Sequence, residues 1–222
     1  LRFEDAGVGS AWTVEGGGGS LTREGDDLRI RGDMALLGGH KYVTTVETNF
    51  ESKIGETTAR FGMSFEDMPG PDIAVQSAAV AWLEAVQAPI SGALRGSVTA
   101  DGDLGPISGT LQIAEGVIQP TAETKPVPFR SARSYFTFDP VSQSLSFDEL
   151  TVDSNWVSLK AEGKAVLQGL EAGIPEAFQG QFTLTDLTAA PEGLVPEPVS
   201  VDRAAMSFRL TLDPFELHMG EL

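Results

Sequence analysis

Apolar and polar residues alternate along most of this chain, and the clearest alternation runs from Phe129 to Leu167. Phe136 and Phe138 share one face, and the rhythm resumes after the break at Asp139-Pro140. Successive side chains of a strand point to opposite faces of a sheet. The stretch therefore predicts an antiparallel meander with one apolar and one polar face.

The same rhythm continues on both sides of this stretch. We count about a dozen or more short alternating runs, punctuated by turn signals. They predict a mainly β fold, a large antiparallel sheet that is curved and half-pipe-like or sandwich-like. Crossover helices are lacking, which argues against a parallel α/β architecture. The four-glycine run from Gly16 to Gly19 predicts a flexible connection or a tight hairpin.

One segment departs from the strand rhythm. After Met68-Pro69-Gly70-Pro71, Asp72 is a suitable N-cap, and apolar residues then recur at helical spacing until Pro89. We predict one amphipathic helix at about residues 72–87 that covers or caps the core, with a mobile lid or partner-binding helix as the alternative. Its predicted apolar stripe consists of Val75, Ala79, Trp82, Leu83 and Val86.

This change of texture divides the chain into three parts. We expect an N-terminal β segment at 1–67, a helix-containing connection at 68–89 and a β meander region at 90–222. A single continuous domain is the expected arrangement. Because the sequence begins and ends in strand-like patterns and contains neither a signal peptide nor an apolar span, we interpret it as a fragment of a longer protein.

The chain is strongly acidic, with a formal net charge of −17 over 222 residues. Such a balance argues against nucleic acid, because phosphate binding needs clustered lysine and arginine. It also disfavours docking to anionic lipid headgroups. Solubility is the simplest explanation of the charge.

No set of catalytic residues stands out, and we expect neither an enzyme nor a cofactor. Cysteine is absent, which excludes disulfides, thiol nucleophiles and thiolate zinc sites. His40 and His218 lie far apart in the sequence, so we predict no metal site. Asp101 and Asp103 flank a glycine, which indicates a turn rather than a calcium loop. No serine lies in a nucleophile elbow.

A sheet with one apolar face needs something to cover that face. A second packed sheet would give a closed sandwich core. An open, curved sheet would instead leave a trough for acyl chains, with about 0.8 kcal/mol gained for each buried methylene group. The alternation is the same in both arrangements, so it leaves both open.

Several phrases resemble one family of bacterial proteins. They are PISGALRGSVTADGDLGPISGTLQIAEG, PFRSARSYFTFDP and SLSFDELTVDSNWVSLKAEGKAVL, preceded by FGMSFEDMPGPDIAVQSAAVAWLEAVQAPISG. This hydrophobic rhythm with glycine punctuation resembles the AsmA-like superfamily of Gram-negative envelope proteins, in particular its YhdP-type branch, which is related to TamB. The resemblance covers about two thirds of the chain and rests on soft motifs.

The resemblance implies a periplasmic protein, anchored in the inner membrane by a segment outside this sequence. It also implies a long β-groove that supports phospholipid transport or outer-membrane biogenesis without catalysis. Phospholipid or acyl chains, and envelope proteins, are the partners it implies. Exposed sheet edges would allow self-association. The candidate groove residues are Phe61, Met63, Phe136, Phe138, Leu145, Phe147, Leu159, Phe182, Leu184, Met206, Phe208 and Leu210.

The alternative function is a β-sandwich module with a closed core that serves in binding, adhesion or as a scaffold. A carbohydrate-binding module of this kind would need exposed aromatic residues on a flat face. The three tryptophans are the candidates: Trp12, Trp82 and Trp156. The predicted helix holds Trp82 and a turn holds Trp156, which disfavours a common platform.

Overall fold

The computed structural model describes residues 2–4, 11–37, 43–74, 83–119, 121–169, 175–190, 197–212 and 215–221. Nearly all of these residues lie in strands, as the alternating pattern predicts. The first strands are β1 Arg2–Glu4, β2 Ala11–Glu24, β3 Asp27–Leu37, β4 Val43–Lys53 and β5 Thr58–Pro69. The connection that follows contains a short helix, α1 Gly70–Ala74, and a two-residue strand, β6 Val86–Gln87.

Ten described strands follow this connection. They are β7 Pro89–Thr99, β8 Ile107–Ile113, β9 Gly116–Ile118, β10 Val127–Asp139, β11 Ser144–Ser154, β12 Val157–Gln168, β13 Ala177–Ala189, β14 Val199–Val201, β15 Ala204–Leu212 and β16 Phe215–Glu221. The hairpin between β10 and β11 is fixed by Asp139, whose carboxylate accepts hydrogen bonds from the Val141 N–H at 2.9 Å and the Ser142 hydroxyl at 2.8 Å.

All sixteen described strands belong to one antiparallel sheet. The main path runs β1-β2-β3-β4-β5-β7-β8-β10-β11-β12-β13-β15-β16, with β6, β9 and β14 attached beside it. The sheet is curved and does not close on itself. The predicted fold class is confirmed. Since β5 pairs directly with β7, the sheet also continues without a break across the connection at 68–89.

Register shifts keep the apolar residues on one face at points where the alternation of apolar and polar residues is interrupted by an extra residue. Phe147 and Leu150 differ by an odd number of positions, and a shift between them restores the alignment with β12. Similar shifts lie between Phe65 and Met68 and between Lys160 and Ala161. An extra residue in one strand increases the local twist of a sheet. These shifts therefore both preserve the apolar face and bend the sheet.

The predicted helix at about residues 72–87 is only partly correct. Helix α1 is described from Gly70 to Ala74, and residues 75–82 lie outside the described chain. Residues 83–85 form a tight 3-10 turn, and Val86–Gln87 is strand β6. Val86 pairs with Ile118 and Gln87 with Val117, so β-pairing replaces the expected last helical turn. Of the predicted stripe, Val75, Ala79 and Trp82 lie outside the described residues.

The connection builds the main buried cluster of the described residues. This end cluster consists of Ala74, Leu83, Val86, Ala88, Ile90 and Phe129. Phe65, Leu111 and Ile113 pack against it from the sheet. Ile90 is fully buried, and Leu83 is 2% exposed. The connection therefore covers one end of the apolar face, where β5 finishes and β7 begins, as expected for a core-covering segment.

The glycine run is neither a flexible connection nor a hairpin turn. Residues 16–19 lie inside strand β2, where Gly17 pairs with Met34 and Gly19 with Gly32. The turn of this hairpin comes later, at Gly25, whose φ of 61° favours glycine. The sequence interpretation failed here because glycine is read as a strand breaker, whereas pairing with β3 holds this stretch extended.

Candidate functional site

Cross-strand register places all the candidate groove residues on the same face of the sheet. One row of paired positions runs from Met63 through Leu94 and Gly109 to Phe136. The row continues through Phe147, Gly163, Phe182 and Met206. Neighbouring rows hold the remaining candidates: Phe61, Phe138, Leu145, Leu159, Leu184, Phe208 and Leu210. We call this surface the apolar face.

Most charged residues lie on the opposite surface, the polar face. From β3 to β15, no charged residue of the described chain occupies a register position on the apolar face. Arg23 on β2 and Glu221 on β16 occupy positions on the same side, but both lie outside this region. A surface without charges avoids the cost of removing ions from water when it contacts another apolar body.

The apolar face is covered only in part. The described residues form one sheet rather than two packed sheets, so the face has no second layer of strands over it. Leu184 is 8% exposed, but Met63 is 38% exposed and the other candidates are half-buried. Side chains in a closed sandwich core would be largely shielded by the facing sheet. The arrangement therefore corresponds to an open sheet.

Aromatic rings form a continuous contact across three strands. The ring centroids of Phe147 and Phe182 lie 5.4 Å apart at an angle of 45°, and those of Phe182 and Phe208 lie 4.7 Å apart at 19°. Such tilted and stacked pairs add about 0.5–1.5 kcal/mol each beyond the area they bury. Phe182 joins the two contacts and is the centre of this aromatic strip.

Several aromatic rings of the apolar face lie opposite a glycine of the neighbouring strand. Phe65 is paired with Gly92, Phe61 with Gly96, Phe136 with Gly109 and Phe182 with Gly163. A Cβ atom added to Gly92 would come within 2.7 Å of the Phe65 ring, and one added to Gly96 within 2.9 Å of the Phe61 ring. The rings thus lie over the glycine backbone. These pairs are not visible in local sequence patterns, because the partners are distant in the chain.

Two surface hollows are lined largely by the polar face, although Phe61 and Met63 also line the first and Phe208 the second. One of about 960 Å³ lies over β3–β8, and the charged members of its lining, such as Arg31, Asp33 and Arg95, belong to the polar face. The other, of about 570 Å³, is lined from the same face by Lys164, Gln179 and Arg209. The apolar face is therefore a broad surface rather than an enclosed cavity.

Ion pairs reinforce the polar face between β10 and β12. Arg130 donates to both carboxylate oxygens of Asp153, at 2.9 and 2.6 Å, which raises the pKa of Arg130 and lowers that of Asp153. Lys160 lies 2.8 Å from Glu149, and this hydrogen bond raises the pKa of the lysine. These pairs connect neighbouring strands and leave the apolar face free of charge.

The tryptophans, histidines and turn aspartates considered in the sequence do not form a common site among the described residues. The side chain of Trp12, all of Trp82 and His40 lie outside the described residues, whereas Trp156 is half-buried beside a turn. His218 lies on β16, 3.3 Å from Glu216. Asp101 and Asp103 lie around a turn at Gly102, whose φ is 92°. Within the described ranges, no three potential ligands gather into a metal site.

The sequence matches no protein-family model, and no curated protein or solved structure matches it. Among the described residues, no helix has the length and apolar character needed to cross a membrane.

Proposed function

We propose that this chain is a non-enzymatic lipid-binding segment whose apolar face holds the acyl chains of phospholipids. The continuous, uncharged apolar face on a single open sheet is the observation that supports this proposal. Each methylene group that leaves water for such a surface contributes about 0.8 kcal/mol. A broad strip suits extended acyl chains better than it suits a compact ligand.

The shape of the surface favours chains that lie across the strands. Several rings lie over a glycine of the neighbouring strand, and no charged residue occupies the rows from β3 to β15. An acyl chain can therefore slide or exchange without meeting a charged side chain. This property suits transport along the sheet more than tight storage of one molecule.

The cellular setting follows from the resemblance to AsmA-like envelope proteins. We propose a periplasmic location, with anchoring in the inner membrane through a segment outside this sequence, and a contribution to phospholipid transport or outer-membrane biogenesis. The net charge of −17 agrees with a protein that contacts the acyl part of a lipid rather than an anionic headgroup layer. Other envelope proteins are the proposed protein partners.

The test is native mass spectrometry of the purified chain, followed by extraction and analysis of bound lipid. Phe136→Asp and Phe208→Asp each place a charge on the apolar face and should abolish lipid retention. The matched controls are Thr137→Asp and Ser207→Asp, which place the same charge one residue away on the polar face. Circular dichroism and thermal unfolding establish that all four variants are folded.

Retention of lipid by the wild type and by both controls, with loss in the two apolar-face variants, supports the proposal. A wild-type chain that carries no lipid, and takes none up from phosphatidylethanolamine and phosphatidylglycerol vesicles, would overturn it. Equal loss in variants and controls would also count against it, since binding would then depend on net charge rather than on the apolar face.

A further inference from the structure

The second hollow of the polar face, of about 570 Å³, lies mainly over the interior strands β12, β13 and β15. Its charged side chains are Lys164, Arg209 and His218, and no aspartate or glutamate is among the described residues that line it. The whole chain, in contrast, has 32 acidic and 15 basic residues. The lining therefore runs against the composition of the chain, and we call this site the basic hollow.

The first hollow shows that this excess of positive charge is not general on the polar face. Its lining contains as many acidic residues as arginines: Arg31, Arg60, Arg95, Asp33, Glu47 and Glu51. Carboxylates close to arginines compensate their charge and repel an incoming anion. Of the two hollows, only the basic hollow offers uncompensated positive charge.

Strand β13 forms the floor of the basic hollow between two cations. Lys164 on β12 is paired with Gln181, and Arg209 on β15 is paired with Gln179. The two cations are therefore two strand spacings and two residues apart, which places their Cα atoms about 12 Å from each other. Both side chains are long and carry their donors at the tip, so both can reach a ligand that lies over the two glutamines.

Neither cation has an ion pair within the described chain. No carboxylate oxygen lies within 4 Å of the Lys164 ammonium or the Arg209 guanidinium, and both side chains are exposed. Glu162 and Glu216 flank the hollow on the same face without lining it, and Glu216 lies 3.3 Å from His218. Lys164 and Arg209 are thus the positive charges that remain available to a ligand.

The two glutamines of the floor add neutral donors. Gln168 donates from Nε2 to Oε1 of Gln179 at 2.8 Å, so the Gln179 amide has its acceptor engaged and its own N–H groups available. The side chain of Gln181 makes no hydrogen bond within the described residues. Lysine and arginine have donors and no acceptor. Donors therefore predominate, as an oxyanion with several acceptor oxygens requires.

We propose that the basic hollow binds a phosphate group, either free in solution as phosphate or a phosphate ester, or in a lipid headgroup. Arg209 engages two of its oxygens, Lys164 adds a point charge from the other side, and Gln179 and Gln181 donate from the floor. A carboxylate has only two oxygens and would leave part of this donor set unused. The site lies on the opposite side of the sheet from the apolar face, so it goes beyond the proposed acyl-chain binding.

The test is an NMR titration of the labelled chain with inorganic phosphate. The wild type should show saturable chemical-shift changes, and Lys164→Gln and Arg209→Gln should each weaken binding about tenfold, because each removes a charged donor. Arg95→Gln is the matched control, since it removes the same charge from the first hollow and should bind as the wild type does. Acetate at the same ionic strength should bind much more weakly than phosphate.

Vesicles distinguish the two sources of the phosphate group. Attachment to phosphatidylglycerol vesicles that is lost in Arg209→Gln would identify a lipid headgroup. Saturable phosphate binding without such attachment would identify a soluble ligand. The inference is overturned if the wild type shows neither, if acetate binds as well as phosphate, or if Arg95→Gln weakens binding as much as Arg209→Gln does.

Two further variants separate this inference from the proposed lipid binding. Ser207→Asp places a carboxylate in the basic hollow and should abolish phosphate binding, while the acyl chains stay bound on the other face. Phe136→Asp lies on the apolar face outside the hollow and should have the reverse effect. A folded Phe136→Asp chain that no longer binds phosphate would contradict the inference, whereas a wild-type chain that binds phosphate without lipid would contradict only the proposed function.

Discussion

The N-terminal and C-terminal wings of the sheet share the same alternation of side chains but differ in the residue types on their apolar faces. In the N-terminal wing, β2–β4, the apolar face includes small and hydroxyl-bearing residues such as Gly19, Gly32, Thr44 and Thr48. In the C-terminal wing, β10–β15, it is dominated by Phe, Leu, Ala and Met. Alternation alone therefore does not determine how apolar a sheet face is.

Packing follows this difference in composition. The rings of Phe147, Phe182 and Phe208 contact one another in the C-terminal wing and shield each other from water. In the N-terminal wing, Leu21 and Ile30 face each other across β2 and β3 and are still 67% and 43% exposed. We infer that the C-terminal wing binds the acyl chains and that the N-terminal wing contributes mainly to continuity of the sheet.

The largest expected effect comes from placing one charge on the same row in each wing. Phe182 and Thr48 occupy one cross-strand row, the first at the centre of the aromatic strip and the second on β4. Phe182→Asp should eliminate retained lipid, because it places a carboxylate among the rings. Thr48→Asp should leave most of it. Lipid bound per chain is measured by native mass spectrometry.

Thr183→Asp is the control for this comparison, because Thr183 lies on the polar face next to Phe182. It should retain lipid as the wild type does. Equal losses in Phe182→Asp and Thr48→Asp would contradict the division of the face into two wings.

Stability should differ between the wings in the same direction. Phe182→Ala removes two ring contacts, whereas Phe50 has no ring contact with another aromatic residue among the described residues. Large-to-small changes of phenylalanine cost about 3–5 kcal/mol when it is fully buried, and less at half-buried positions. We expect Phe182→Ala to lower the free energy of unfolding by about 2 kcal/mol more than Phe50→Ala.

Urea unfolding followed by circular dichroism measures both values. Phe182→Leu is a useful intermediate, since it retains apolar volume but removes the ring contacts. If Phe50→Ala lowered the free energy of unfolding as much as Phe182→Ala does, the ring contacts would contribute no stability beyond the burial of apolar area.

Much of the fold follows from period-two patterning, but several features need long-range information. The many strands, the antiparallel order and the apolar side of Phe136, Phe182 and Phe208 follow from local alternation. The shift after Phe147 was also visible in principle, as a change of parity before Leu150. Such a change within one strand indicates a bulge.

Other features were not accessible to local patterns. The helix prediction extended to residue 87 because helical spacing is judged from neighbours, whereas Val86 is held in a strand by its pairing with Ile118. The pairing of Phe136 with Gly109 likewise depends on register between distant segments. Whether the face is open or covered depends on strand order, which alternation does not encode.

Replacing a glycine by alanine should change the stability of the chain differently in the two wings. Gly109→Ala places a Cβ against the Phe136 ring and the Leu94 side chain, and overpacking of this kind costs about 1 kcal/mol or more. In contrast, a Cβ at Gly19 meets nothing closer than the Arg31 carbonyl oxygen at 3.7 Å. Gly19→Ala should therefore be neutral or stabilise the chain by about 0.5 kcal/mol, because alanine restricts the unfolded state.

Thermal unfolding measures both changes. The double variant Gly109→Ala with Phe136→Leu should recover part of the lost stability, since leucine leaves the space above residue 109. Failure of this rescue would show that the ring does not lie over Gly109 in solution.

The smallest expected effect concerns the ion pairs of the polar face. Arg130 lowers the pKa of Asp153 in the folded chain, so the pair contributes stability above the ordinary pKa of an aspartate. This contribution is lost as the pH falls through the lowered value, because the protonated carboxyl no longer attracts the guanidinium. The effect is small, since both side chains are about half exposed.

Asp153→Asn should therefore be less stable than the wild type at neutral pH, and the difference should shrink as the pH falls. Glu51→Gln is the matched control in the N-terminal wing, where Arg29 and Glu51 are 3.8 Å apart and make no bidentate contact. Urea unfolding across an acid pH series should show a smaller difference for that pair. A difference for Asp153→Asn that stays constant with pH would show that Asp153 acts through its contacts rather than through its charge.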